Sequence, residues 1–199
     1  VRTDSAWEGA GRSIPGADVG AEADAAAAGR PRALAGVKQP DGAIAGAVVL
    51  FVVYALTLAP DVTFWDAGEF MAAAHALGIP HPPGTPLFIL LANVWAKLVP
   101  LPFAVATNLM SAVATALAAG ISGRLVLRGT GSGPMALAAA LAAGGMSTAW
   151  LNATETEVYA ASLALGMITI WAGDRAGREP EGRWGYLTAY LIALAVPLH

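Results

Sequence analysis

The chain has 199 residues, of which 56% are hydrophobic and only 13% are charged, with a net charge of -3. Soluble domains carry about 25% charged residues, so this composition excludes an ordinary soluble surface and leaves a membrane protein or a deeply buried helical bundle. The charge is too small to call for a nucleic acid or another polyanion, and the absence of cysteine excludes thiol catalysis, disulfides and cysteine-bound metal.

Residues 1 to 40 are rich in Ala, Gly and Pro with scattered charge. They read as a disordered N-terminal tail without the apolar centre of a secretory signal. Gly42 to Ala59 is free of charge and about long enough to cross a bilayer, which takes roughly 17 to 25 residues. Pro60 is expected to end it. Pro60 to Pro86 then carries Asp61, Asp66, Glu69, His75 and His81 with no Lys or Arg.

Asp66 to Leu77 is predicted to form one short helix, with Asp66 at the positive end of its dipole and Glu69 on the same face. Phe70, Ala73, Ala74 and Leu77 make an apolar stripe that would lay this helix in the membrane interface. Gly78 to Gly84 holds three prolines and cannot be helical. Leu87 to Leu98 is too short for a span and reads as re-entrant or interfacial. Phe103 to Gly123, Met135 to Leu151 and Val158 to Gly173 read as spans, and Trp184 begins another.

The fold class expected is therefore all-α. Residues 41–199 form the N-terminal part of a multi-span transmembrane domain, with short interfacial helices in its first outer loop. The chain reads as the front piece of a longer protein.

Basic residues set the orientation. With Leu87 to Leu98 not crossing, Arg30, Arg32 and Lys38, then Arg124 and Arg128, then Arg175, Arg178 and Arg183 share the cytoplasmic side; Lys97 is the exception. The loops at Asp66 and at Glu155 then share the non-cytoplasmic side.

Asp66 and Glu69 are the candidate catalytic pair. Two carboxylates can abstract a proton from a hydroxyl, orient it, or hold a divalent cation. The competing reading is a solvated helix start with capping acids. His81, set between prolines, could donate to a phosphate or an acceptor, or be a structural loop histidine. His75 reads as structural. Glu155 and Glu157, beside a glycosylation-type triplet at Asn152, are candidate substrate-binding groups. No phosphate-cradling glycine loop is present, so a soluble nucleotide donor is not indicated.

The residues Trp65-Asp66-Ala67-Gly68-Glu69-Phe70, Leu77 to Leu87 (LGIPHPPGTPL), Asn108-Leu109-Met110-Ser111 and Glu157-Val158-Tyr159 resemble a membrane family that includes the protein O-mannosyltransferase transmembrane protein 260. The resemblance covers Ile44 to His199. It implies a GT-C-like fold and transfer of a sugar, mannose in that relative, from a polyprenyl-phosphate donor to a protein or glycan hydroxyl on the non-cytoplasmic face. It places the acceptor base on Asp66 with Glu69 beside it, and puts His199 where the family has a histidine after its fifth span. Membrane lipid, lipid-linked sugar and acceptor are the implied partners, with no cofactor beyond an optional divalent cation. The readings from another class are a transporter, or an assembly subunit without chemistry. The acids lie in loops rather than in span interiors, which favours the enzyme.

Overall fold

The computed structural model describes residues 41–82, 84–180 and 182–198. The expected N-terminal tail and His199 lie outside the described residues. Within them every regular element is a helix: α1 (Gly42–Leu56), α2 (Asp66–Ala76), α3 (Pro86–Leu98), α4 (Phe103–Thr130), α5 (Gly133–Gly144), α6 (Ser147–Thr154), α7 (Val158–Arg178) and α8 (Trp184–Leu198).

Helix ends follow local chemistry. The Asp41 side chain accepts from the N–H groups of Ala43 and Ile44 and starts α1. α1 ends earlier than Pro60 would end it, with Thr57 as its C-cap, whose N–H bonds the carbonyls of Val53 and Tyr54. Ser132 caps α5 through Met135 N–H. The expected turn at 129–134 thus shrinks to Gly131 and Ser132.

α4 is the axis of the bundle, with α1, α5, α6 and α7 packed along it. Its 28 residues make about 42 Å of helix, enough for a hydrocarbon core of about 30 Å. Among the described residues it is the one helix long and apolar enough to cross a membrane by itself. α5 and α6 qualify together, but they are bent by 70° at their junction. The continuous span expected from Met135 to Leu151 is therefore broken.

The break is set at Gly144. The Tyr54 hydroxyl donates to the Gly144 carbonyl at 2.6 Å, taking an acceptor that a continuous helix would offer to the next turn. The Gly144-Gly145 pair also gives up helix propensity where the chain must turn. A Cβ on Gly144 would run into Leu50 and the Tyr54 hydroxyl, so only glycine allows α1 this close. Trp150 packs edge-on against Tyr54 at 5.4 Å and holds the bend from the α6 side.

The two ends of the bundle differ in charge. At the C-terminal end of α4, Arg124 bonds Asp41 at 2.5 Å, and Arg128 pairs with Asp174, which also accepts from Arg178. Arg175 sits between the rings of Trp171 and Trp184, at 5.6 and 4.9 Å. Glu179 accepts from Arg175 and from the Trp184 indole, both at 2.8 Å, which clasps α8 onto α7. Asn108, near the other end of α4, lies about 30 Å of helix from Arg128. The basic clusters at Arg124, Arg128 and Arg175 and the acidic loops thus occupy opposite ends, as the charge pattern implied.

Removing the Tyr54 hydroxyl should cost about 1–3 kcal/mol, because it strands the buried Gly144 carbonyl. Tyr54→Phe is therefore expected to lower the thermal midpoint of the purified full-length protein, and Gly144→Leu to lower it further. An unchanged midpoint in Tyr54→Phe would show that the bend does not depend on this bond.

Candidate functional site

α2 starts at Asp66 as expected and stops at Leu77, whose backbone is left-handed at φ 52°. Its apolar stripe does not face lipid. Phe70, Ala73 and Ala74 are buried against Phe88, Ile89 and Ala92 of α3, while Leu77 is largely exposed. The stripe expected to float α2 in the interface instead fixes it to α3. Asn93 of α3 completes the joint by donating to the Ala74 carbonyl at 2.8 Å. Trp95 then ties α3 to the first turn of α4 through Ala106 O.

The residue before Asp66 is strained. Trp65 has φ 64° and ψ -141°, a region that side chains avoid at a cost of about 1–3 kcal/mol. Its ring is almost fully exposed, as are Phe64 and Ile79 nearby in the chain. This conformation aims the first turn of α2 without any side-chain cap.

Glu69 and His81 form the first bond of the site. The His81 backbone N–H donates to Glu69 Oε1 at 2.6 Å, and its ring Nδ1 lies 2.9 Å from Oε2. The proline-punctuated turn therefore folds back on α2, with the His81 ring stacked near Phe70 at 5.6 Å. The hydrogen bond to Glu69 raises the His81 pKa above 6.5, and the charges of Asp66 and Glu157 add to it. The same bond lowers the pKa of Glu69.

Asp66 shares this corner. One ligand atom from each of Asp66, Glu69 and His81 lies within 4.8 Å of the others, close enough to hold one divalent cation. Both Glu69 oxygens are already engaged by His81, however, so the set reads as an ion pair with a second carboxylate beside it. Asp66 is exposed and has no hydrogen-bond partner among the described residues. His75, by contrast, stacks on Phe103 at 5.1 Å and has no part in the corner.

Glu157 comes to the same corner from the start of α7. Burial pushes its carboxyl up to about 7, with the charges of Glu155 and Asp66 helping and His81 opposing. Asn152 is folded into α6, where its amide donates to Thr148 O.

What holds these segments together includes Asn108 and Ser111, which the sequence offered only as part of the resemblance and without a role. Asn108 is fully buried. Its amide nitrogen donates to the carbonyls of Ala59 and Asp61, at 2.9 and 3.3 Å. Its oxygen accepts from the Thr156 hydroxyl at 2.7 Å, and Thr107 lies 2.8 Å from the same hydroxyl. Ser111, one turn on, accepts from the Glu157 N–H at 3.2 Å. Ala59 N–H reaches Thr154 O at 2.9 Å. Polar residues at 107, 108 and 111 on one face of an apolar helix were the available signal.

A family model described as the N-terminal domain of Protein O-mannosyl-transferase TMEM260 matches residues 66–199. The chain belongs to this family. Protein O-mannosyl-transferase TMEM260 of Mus musculus is 40% identical to it over 109 residues, covering 52% of this chain and 15% of the mouse protein. The Dictyostelium discoideum protein of the same name is 41% identical over 61 residues, 29% of this chain and 7% of its own length. The chain thus matches only a small part of these TMEM260 relatives. No solved structure matches it.

The Glu69–His81 bond makes a direct prediction. In the parent, His81 should stay protonated at pH values above 6.5. Glu69→Gln removes the largest cause of that shift, so the His81 titration followed by NMR should move down toward 6.5. A titration that does not move would reject the pairing.

Proposed function

We propose that this chain is the front part of a GT-C-like, multi-pass membrane glycosyltransferase. It moves a sugar, mannose by analogy with the names of its relatives, from a polyprenyl-phosphate donor to a protein hydroxyl. The observation that carries this reading is the corner itself: the unengaged Asp66 carboxylate lies beside a Glu69–His81 pair, at the end of the bundle away from the arginines.

In the reaction, Asp66 accepts the proton of a Ser or Thr hydroxyl as its oxygen attacks the anomeric carbon. The bond from that carbon to the phosphate oxygen breaks, and the lipid phosphate leaves with the electron pair. His81, whose protonated form the bond to Glu69 favours, would offset the charge that grows on the leaving phosphate. Glu69 therefore acts through His81, orienting and charging it.

The donor needs an apolar berth as well as a polar head site. A cavity of about 400 Å³ between α3, α4, α7 and α8 is lined by Leu87, Leu91, Met110, Leu165 and Leu198 among others. Another of about 360 Å³ lies behind the α5–α6 bend, along α4 and α7. Their apolar walls suit prenyl units.

The topology that goes with this reading puts the corner on the non-cytoplasmic face. It supposes that α1, the bent α5–α6 pair, α7 and α8 cross together with α4, while α3, at about 20 Å, does not. Single cysteines placed at the exposed Ile79 and Leu151 should both label with an impermeant reagent from outside the cell, and one at Thr130 should not. Labelling at only one of the first two would reject the arrangement.

General-base catalysis contributes about 10²–10⁴-fold. Asp66→Asn in the full-length protein should lower mannosyl transfer from a polyprenyl-phosphate donor by about that factor, with normal expression and insertion. Glu69→Gln should cost less, because it weakens only the charge on His81. Parental transfer rates in Asp66→Asn would overturn the assignment of this corner.

A further inference from the structure

The reaction draws on the acid end of the bundle and on the cavities along α7. The side of α4 where α1 lies carries a feature that it does not use. Two cavities there, of about 410 and 300 Å³, share Ala47, Val48 and Leu117 and so form one slot. The slot begins at Asp41 and Arg124 and ends at Phe51 and Val113, and between those ends no charged residue lines it.

Its shape follows from the residues. A Cβ on Gly120 of α4 would press on the Ala47 Cβ at 2.8 Å, so the two helices meet there with no larger side chain between them. The larger Ile44, Val48 and Leu117 stand on the rim and are exposed. A contiguous exposed apolar surface calls for a cover.

The length of the slot says what the cover is. From Val113 to Arg124 is about 16 Å of α4, and from Asp41 to Phe51 is about 15 Å of α1. Half of a hydrocarbon core of about 30 Å is about 15 Å. The slot is therefore one leaflet deep: it opens at the charged end of the bundle and stops at the bilayer centre. A partner helix that crosses the membrane would call for a groove that runs on past Val113. An acyl chain fills only the half that is there.

The mouth suits a phospholipid head. Arg124 is half-exposed and gives one terminal nitrogen to Asp41 at 2.5 Å. Its other N–H groups have no acceptor among the described residues, and a guanidinium fork matches phosphate geometry. Asp41 accepts from Ala43 and Ile44 through Oδ1 and from Arg124 through Oδ2, and it remains partly exposed. A carboxylate has about four lone-pair sites, so it can accept from an ammonium as well. The pair carries no net charge, which matches a head that carries none.

We propose that the slot between α1 and α4 is a binding site for one phosphatidylethanolamine molecule. Its phosphate sits on Arg124, its ammonium on Asp41, and one acyl chain lies past Ala47 and Gly120 as far as Val113. This rests on α4 crossing the membrane, and not on the chemistry assigned to Asp66.

The test is native mass spectrometry of the full-length protein in detergent, with phosphatidylethanolamine, phosphatidylcholine or phosphatidylglycerol of the same acyl chains added in turn. One phosphatidylethanolamine should stay bound, about tenfold more tightly than phosphatidylglycerol. Phosphatidylcholine, which has no N–H for Asp41, should fall between them. Val48→Trp fills the slot from its exposed rim without entering the core, and should abolish the preference while leaving expression and mannosyl transfer at parental levels. Arg124→Lys keeps the ion pair that starts α1 but removes the fork, and should weaken phosphatidylethanolamine severalfold. Added phosphatidylethanolamine should raise the thermal midpoint of the parent and not that of Val48→Trp.

Equal retention of phosphatidylethanolamine and phosphatidylglycerol would overturn the proposal, as would parental binding in Val48→Trp. A dimer that Val48→Trp splits, with no lipid retained, would put a second copy of the chain in the slot and overturn it too. So would a Val48→Cys thiol that a lipid-soluble maleimide cannot reach, since the rest of the full-length protein would then be the cover. A bimane on Val52→Cys, exposed on α1 outside the slot, separates the two readings. It should be quenched by brominated lipid. No quenching would overturn the membrane reading itself, whereas quenching without a phosphatidylethanolamine preference overturns this site alone.

Discussion

The carboxamide of Asn108 is the constraint on which the corner depends. It is buried in an apolar helix, where an unmatched amide is costly, and it spends both ends on chain segments far from it in sequence. Its nitrogen fixes the strand of chain leading from α1 to α2, and its oxygen fixes the turn between α6 and α7. Asp66 and Glu157 are carried on those two segments. Neither acid touches Asn108, yet the position of each follows from it. An aliphatic residue of the same size would fill the space and release both loops.

The opposite end of the bundle is built on a different principle. There the charges are satisfied within the described chain: Asp41 and Asp174 take up arginines, and Glu179 bridges Arg175 and Trp184. At the site end the acids outnumber the cations, and only the Glu69–His81 pair is closed. One end consumes its charge in holding helices together. The other leaves the Asp66 carboxylate exposed and without a hydrogen-bond partner among the described residues.

Much of this was legible in the residues. Asp66 at a helix start, Glu69 one turn on, and a proline turn that cannot be helical follow from local rules, and the structure has all three. The helical class and the separation of the arginines from the loops at Asp66 and Glu155 follow from composition and charge order. What was not legible depended on contacts between distant segments. The return of His81 onto Glu69 needs a turn whose direction no local rule sets. The stripe on α2 was visible, but not that its partner would be α3 rather than lipid. The break at Gly144 is half local, since two adjacent glycines permit it, and half not, since Tyr54 of α1 takes the carbonyl. The backbone of Trp65 gives no warning at all, because a tryptophan at φ 64° is tolerated only when its surroundings impose it.

The pairing of Asn108 with Thr156 also has a consequence for synthesis. The two residues are 48 positions apart. When α4 first leaves the ribosome, Ala59 and Asp61 already exist to take the amide protons, but nothing yet exists to fill the oxygen. At elongation rates of about 5–20 residues per second, that oxygen waits roughly 2–10 s for its partner. Over that interval the nascent bundle carries an unmatched polar group in its interior, an open seat that a chaperone or insertion factor could recognise, and the arrival of one threonine closes it.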